Sequence, residues 1–504
     1  MQRMRIPIDR EATVPLYKQV EVALRSGISA GTLAPGTRLP ATRALAADLG
    51  VSRITVTNAY AELERDGLIE GIVGSGTVVM AASFGHVGRP TDPPPDWPSW
   101  QQRLQQDRQD DGPEDRLEGP NPPLQDDAAR PEAISFTGVG DLRLLSTRDL
   151  GRTIHDVLRA DGVAALGYGD LGAGHPQLRT TIARVLAAQG IATSGERVLV
   201  TSGSQQGLAL ACQVLLRPDD PVLVEQPSYD HALRLFAHLR CRVIGVPMDD
   251  DGMRVELVED LVRKHRPGLI YTVPTFHNPT GTCLPARRRR DLLAVAARHD
   301  VPIVEDDFTG DLRYEGRTQP AVKALDQNGS VIHLGSFAKL LAPGLRIGYL
   351  VADGPVFDRL TAAKQAMDLT TSPLLQRVVD RIVTVGRYQS HLRRTTRLYR
   401  RRRDAMSEAL AREMPACAVG LPAGGLFLWV RLPEGVSARA LAQAGARTGV
   451  VVTPGHRFFT DPTAGDGYIR LNFATRTENE IHDGITRLGQ AMMQLDDAHD
   501  QLPG

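Results

Sequence analysis

The chain has 504 residues, of which 42% are hydrophobic and 23% charged, with 59 basic side chains matched by 59 acidic ones. This length suits two or more domains, and the zero net charge confines any nucleic-acid binding to a local surface. No apolar run reaches the roughly 18 residues a bilayer crossing needs, and residues 1–10 lack a signal-peptide core, so a cytoplasmic location is expected.

Residues 1–85 read as one module: helices over 15–29, 41–49 and 53–66, then two short strands around Gly74-Ser75-Gly76. Gly50 marks a turn between the second and third helices, and Ser52 is placed to cap the third. Leu45, Leu49, Val51, Val56 and Tyr60 fall where they can pack the two crossed helices, while Arg53, Thr55 and Thr57 open the third on its polar side. In a helix-turn-helix these early residues face the major groove. The same helix-Gly-helix pattern also fits a protein-binding domain. Nine basic residues against eight acidic ones leave a surplus of only one, so DNA binding by this module calls for two copies acting together.

Residues 86–133 carry ten prolines and eleven acidic residues against five arginines, which predicts an extended linker. Residues 134–492 alternate helix-length segments with apolar stretches at 198–201, 221–224, 269–273, 301–304 and 331–334. This alternation predicts an α/β body with a mostly parallel sheet, a large domain to about residue 370, a small one after it, and a tail over 493–504. The arginines at 287–290 and 393–403 are read as solvated helix faces. Cys212, Cys241, Cys283 and Cys417 form no ligand-spaced pair, so they are expected as buried free thiols.

Several positions of the body carry chemistry. Lys339, just past a buried strand in Gly-Ser-Phe-Ala-Lys, can lose its proton in a dry site and form a Schiff base with an aldehyde cofactor. Ser336 and Arg346 flank it as donors to a phosphate. Asp306 can keep a pyridine nitrogen protonated, Asn278 can meet a ring hydroxyl, and Tyr229 can stack on the ring. Gly203, Ser204 and Gln205 follow a strand and open a helix, where backbone N–H groups receive phosphate. Singly, each of these residues has an ordinary structural explanation as a turn, loop, core or surface residue. Their joint occurrence in this order is the signal.

The motifs Ala34-Pro-Gly-Thr-Arg-Leu-Pro, Leu49-Gly-Val-Ser-Arg-Ile-Thr-Val and Gly74-Ser-Gly-Thr resemble the GntR winged helix-turn-helix. That resemblance implies DNA contacts at Arg43, Ser52, Arg53, Thr55 and Gly76, with Thr57 where some members place a further arginine. The body resembles the fold type I pyridoxal-phosphate enzymes of the aminotransferase class, which implies pyridoxal 5'-phosphate held on Lys339. It further implies a homodimer in which Tyr168 reaches the neighbouring subunit's phosphate, and Arg470 gripping a substrate carboxylate. Head and body together resemble the MocR subfamily of regulators. Two positions depart from the pattern: Phe308 lacks a hydroxyl that relatives point at the ring, and His231 stands where an amino-acid-sensing relative has a second arginine.

The expected function is operator binding modulated by pyridoxal phosphate, or by an amino compound joined to it as a Schiff base. The alternatives are a working aminotransferase with an attached DNA-binding domain, and a sensor of the cofactor alone. No metal is expected.

Overall fold

The structure is a computed structural model that describes residues 6, 8–10, 14–29, 32–72, 76–80, 133–337 and 339–500. The chain divides into two compact units, Met1–Pro120 and Asn121–Gly504. Residues 73–75 of the expected wing, and the expected linker apart from residue 133, lie outside the described residues.

The first unit contains α1 (Leu16–Ser29), α2 (Thr42–Leu49) and α3 (Arg53–Arg65), followed by antiparallel β1 (Ile69–Ile72) and β2 (Gly76–Val79). Gly50 ends α2 in the left-handed conformation at φ 62°, which a side chain would resist. Ser52 then caps α3, its Oγ accepting the Thr55 N–H at 3.2 Å. Val56, Ala59, Tyr60 and Leu63 follow at helical spacing and are buried against Val20, Leu24, Leu45 and Val79. The Tyr60 hydroxyl donates to the Pro40 carbonyl at 2.8 Å, fixing the entry to α2.

The second unit opens with β3 (Ile134–Ser135) and then builds an eight-stranded sheet. Its strands are β4 (Val198–Thr201), β5 (Pro221–Gln226), β6 (Arg242–Asp249), β7 (Gly252–Met253), β8 (Leu269–Thr272), β9 (Ile303–Asp307), β10 (Val331–Ser336) and β11 (Gly348–Val351). Their spatial order is β4-β11-β10-β9-β8-β5-β6-β7. Six strands run in one direction; β11 is antiparallel to both its neighbours, and β7 to β6. The five expected apolar strands appear as β4, β5, β8, β9 and β10. β4 and β8 are buried at every position, which explains why they read as continuous apolar runs. Further on, β12 (Ala418–Val419), β13 (Phe427–Arg431), β15 (Thr453–Pro454) and β16 (Tyr468–Asn472) form a four-stranded sheet, while β14 (Val450–Val451) pairs with β3.

Two expectations are corrected. Arg289, Arg402 and Arg403 are not on solvated faces; all three are buried. Arg289 donates to the carbonyls of Leu284, Pro274 and Pro320. Arg402 pairs with buried Asp141 at 2.9 Å, and Arg403 bridges Glu315, Asp404 and the Pro422 carbonyl. These guanidiniums tie segments distant in sequence, a role that helical periodicity of charge does not reveal. Among the cysteines only Cys212 is buried; Cys241, Cys283 and Cys417 are half-buried, and all four are free thiols. No helix among the described residues is long and apolar enough to cross a membrane.

Candidate functional site

On the head, Arg43, Ser52, Arg53, Thr57 and Gly76 are exposed and Thr55 is half-buried. The threonine hydroxyls are already engaged within the helix. Thr55 Oγ1 lies 2.8 Å from Ser52 Oγ, and Thr57 Oγ1 donates to the Arg53 carbonyl at 2.9 Å. Arg53, Ile54 and Asn58 are exposed on α3 and make no side-chain hydrogen bond or ion pair among the described residues. Ile54 is 71% exposed, a position that helix-turn-helix spacing alone did not single out.

In the body, the residues expected at the cofactor lie at the C-terminal edge of the co-directional strands, the edge where an open α/β sheet binds its ligands. β4 leads through Gly203 into the helix Ser204–Leu215. β5 leads to Tyr229, β8 into the loop holding Asn278, β9 ends in Asp306 and Asp307, and β10 ends at Ser336, three residues before Lys339. β9 and β10 are parallel, with Asp306 opposite Leu334. Arg346 precedes β11, whose reversed direction starts it at the same edge.

Close backbone approach shapes the start of the helix Ser204–Leu215. A Cβ on Gly348 would stand 2.6 Å from the Gly203 carbonyl carbon, so β11 meets the helix start only because position 348 is glycine, while Gly203 itself turns at φ 102°. Arg346 thereby reaches the helix N-terminus: its Nη2 donates to the Ser202 carbonyl and would lie 3.0 Å from a Cβ on Gly203. The Gln205 side chain is turned away, Nε2 donating to the His231 carbonyl at 3.3 Å, which leaves its backbone N–H as its contribution.

Asp306 is 3% exposed. Its Oδ2 accepts the Tyr271 hydroxyl at 3.0 Å, while its Oδ1 has no hydrogen-bond partner among the described residues. Burial pushes this carboxyl up to about 6, and the Tyr271 bond works against the rise. Tyr271, fully buried in neighbouring β8, was not anticipated from the sequence; a hydroxyl-tipped ring in a strand buried at every position was the available signal. Lys339 makes no ion pair among the described residues, and burial, then the charge of Arg346, lowers its ammonium below the usual 10.5. Phe308 is buried and brings no hydroxyl.

Arg470, on β16, is 8% exposed and lies between two rings, 4.3 Å from the centre of Phe427 and 4.8 Å from that of Phe458. Its Nη1 donates to Asn278 Oδ1 at 2.8 Å and its buried Nε has no partner among the described residues. Burial lowers this guanidinium to about 10. His231 is exposed, its ring centre 5.5 Å from that of Tyr229. Tyr168 is 68% exposed, and no bond or ring contact among the described residues joins it to the other site residues.

The bacterial gntR regulatory family matches residues 16–79, and the class I and II aminotransferase family matches residues 138–488. YisV of Bacillus subtilis, an HTH-type transcriptional regulator, is 32% identical over 489 residues, covering 96% of this chain and 98% of that protein. MocR of Rhizobium meliloti, a probable rhizopine catabolism regulatory protein, is 30% identical over 501 residues, 97% of this chain and 96% of its own. The chain belongs to the MocR subfamily of GntR-type transcription regulators. Among solved structures, the α-aminoadipate aminotransferase LysN of Thermus thermophilus, complexed with N-(5'-phosphopyridoxyl)-L-leucine, is 33% identical. It covers 73% of this chain and 94% of its own, with a TM-score of 0.69.

Pyridoxal phosphate is the cofactor of the aminotransferase family to which this MocR-type body belongs. The residues present fit it: a buried carboxylate oxygen without a hydrogen-bond partner and a buried lysine without a direct ion pair, both among the described residues, and a helix N-terminus crossed by a guanidinium. Replacing Tyr271 by Phe removes the bond that favours ionised Asp306, so this carboxyl rises further. Retention of pyridoxal phosphate, followed by visible absorbance against pH, is expected to fail at a higher pH in Tyr271→Phe than in the unmodified chain. An unchanged midpoint would show that Tyr271 does not support Asp306.

Proposed function

We propose that the body carries pyridoxal phosphate on Lys339 and that an amino compound taken up there biases how two copies of the head engage operator DNA. The observation that carries this reading is the unpartnered Oδ1 of buried Asp306. An acceptor left so costs free energy, and a protonated pyridine nitrogen is the group that satisfies it. When bound, pyridoxal phosphate supplies an aldehyde for amines and a ring that withdraws electrons.

The chain's own residues decide where that group sits and what reaches it. Backbone N–H groups at 203–205, with Ser336 and Arg346, receive the phosphate. Asn278 directs its amide to the ring hydroxyl, and Tyr229 covers the ring. Lys339, its ammonium destabilised by burial and by Arg346, offers the neutral amine that attachment needs. Arg470, held by two rings and Asn278, grips the carboxylate of the amino compound.

A second copy of the chain completes the reading. Val163 is 86% exposed, Leu166 and Tyr168 are each 68%, and Leu171 also faces solvent, an apolar run that one copy alone leaves wet. Dimerisation covers it, carries Tyr168 to the neighbouring phosphate, and offers two heads whose separate affinity is limited by a charge surplus of one. On DNA, Arg53 reads a base edge, while Arg43 and Gly76 lie against the backbone.

Lys339→Ala is expected to abolish borohydride fixation of pyridoxal phosphate while the thermal melt keeps its shape; fixation that survives refutes the lysine assignment. Titration of the holoprotein with amino acids separates the readings of the body. Spectral change without keto-acid product supports the sensor, steady product supports an aminotransferase, and no response to any amine supports a sensor of the cofactor alone. Arg53→Ala is expected to weaken binding to selected operator duplexes by about 1–3 kcal/mol, read by fluorescence anisotropy, and unchanged affinity would remove α3 from the interface.

A further inference from the structure

Beside the group that grips a carboxylate stands an ion pair that the reading above does not use. Asp230 opens the helix Asp230–His238 directly after Tyr229 and is 5% exposed. Arg457 approaches from the helical turn Gly455–Phe458, its Nη2 3.4 Å from Asp230 Oδ2. The two segments are tied by the Ser228 N–H, which donates to the Phe458 carbonyl at 2.8 Å. Phe458, the residue after Arg457, lays its ring against the Arg470 guanidinium. The Asp230 charge favours the protonated forms of Lys339, Arg470 and His231, and the Arg457 charge disfavours those of Arg470 and His231. These five groups share one electrostatic neighbourhood.

We infer that Asp230 and Arg457 form a charge-compensated wall of the effector site, restricting it to amino compounds with one carboxylate and an uncharged remainder. The inference rests on the amino-compound reading of Lys339. Arg470 meets one carboxylate. A second carboxylate drawn to Arg457 has to displace Asp230, and two carboxylates are then left close together in a poorly solvated site. A distal ammonium drawn to Asp230 meets Arg457 in the same way. His231 supplies no lasting cation: although exposed at one face, its ring is partly desolvated, which with the charges of Arg234, Lys339 and Arg457 lowers its pKa below the usual 6.5.

Three probes with the same six-carbon skeleton isolate the distal group: L-norleucine ends in a methyl, L-2-aminoadipate in a carboxylate and L-lysine in an ammonium. The pyridoxal-phosphate-loaded full chain is titrated with each, following visible absorbance. Norleucine is expected to half-saturate at a concentration at least about ten-fold below the other two, a difference of roughly 1.4 kcal/mol. Asp230→Asn is expected to improve aminoadipate by about ten-fold while norleucine changes little, and Arg457→Met to improve lysine by a similar factor. Adding Arg457→Met to Asp230→Asn should cancel the aminoadipate gain. The unliganded spectrum and melt of each variant confirm an intact site. Equal half-saturation by norleucine and aminoadipate in the unmodified chain, or an unchanged ratio in Asp230→Asn, overturns the wall and leaves the amino-compound reading standing. No spectral response to any amino acid, the three probes included, overturns both.

Discussion

A carboxylate buried at the edge of a sheet, with one oxygen satisfied and the other not, is the constraint around which the body is arranged. Moving the Asp306 carboxyl from its usual 3.8 to about 6 corresponds to roughly 3 kcal/mol. Because its folded-state pKa is raised, its stability contribution is fully present only below about pH 4 and is lost as pH rises through 6. At neutral pH the protein without cofactor bears that cost, and a cationic ring relieves it. The fold tolerates Asp306 because β9 holds it between β8 and β10. From β8, Tyr271 takes up one oxygen, and β10 runs on toward Lys339.

The same strand ends explain why the remaining groups converge. Co-directional strands deliver their following loops to one edge, and reversed β11 starts there, so Gly203, Asn278, Asp306, Ser336 and Arg346 meet although 143 positions separate the first from the last. Arg470 comes from the second sheet, and its bond to Asn278 links the two. A ligand that pulls on Arg470 therefore pulls on a residue anchored at the cofactor edge, a physical route by which occupancy can bias an arrangement of domains.

Much of this was legible in the sequence. Buried parallel strands read as unbroken apolar runs, helix caps and Gly50 punctuated the head, and the lysine, aspartate and arginine motifs occurred in the order of a known cofactor site. Groups whose role lies in pairing across distant segments were not legible. Arg289, Arg402 and Arg403 looked like solvated charge because a helix-face pattern reports position on the helix and says nothing of carbonyls brought up from elsewhere. Tyr271 was hidden inside an apolar strand, and Asp230 and Arg457 are separated by 227 positions. On α3 the structure adds detail that helix spacing does not give: the hydroxyls of Thr55 and Thr57 bond to Ser52 and to the Arg53 carbonyl, while Ile54 and Asn58 also face outward.

The central claim is that occupancy of the body and DNA binding by the head are thermodynamically coupled. The direct measurement is the affinity of the loaded full chain for duplexes it selects from a random library, with and without the amino compound that most changes its absorbance. The half-saturation of that compound is then measured with and without the duplex. The account predicts a change of about 5- to 150-fold in DNA affinity and the same factor in the reverse titration. DNA affinity indifferent to a saturating amino compound would contradict it.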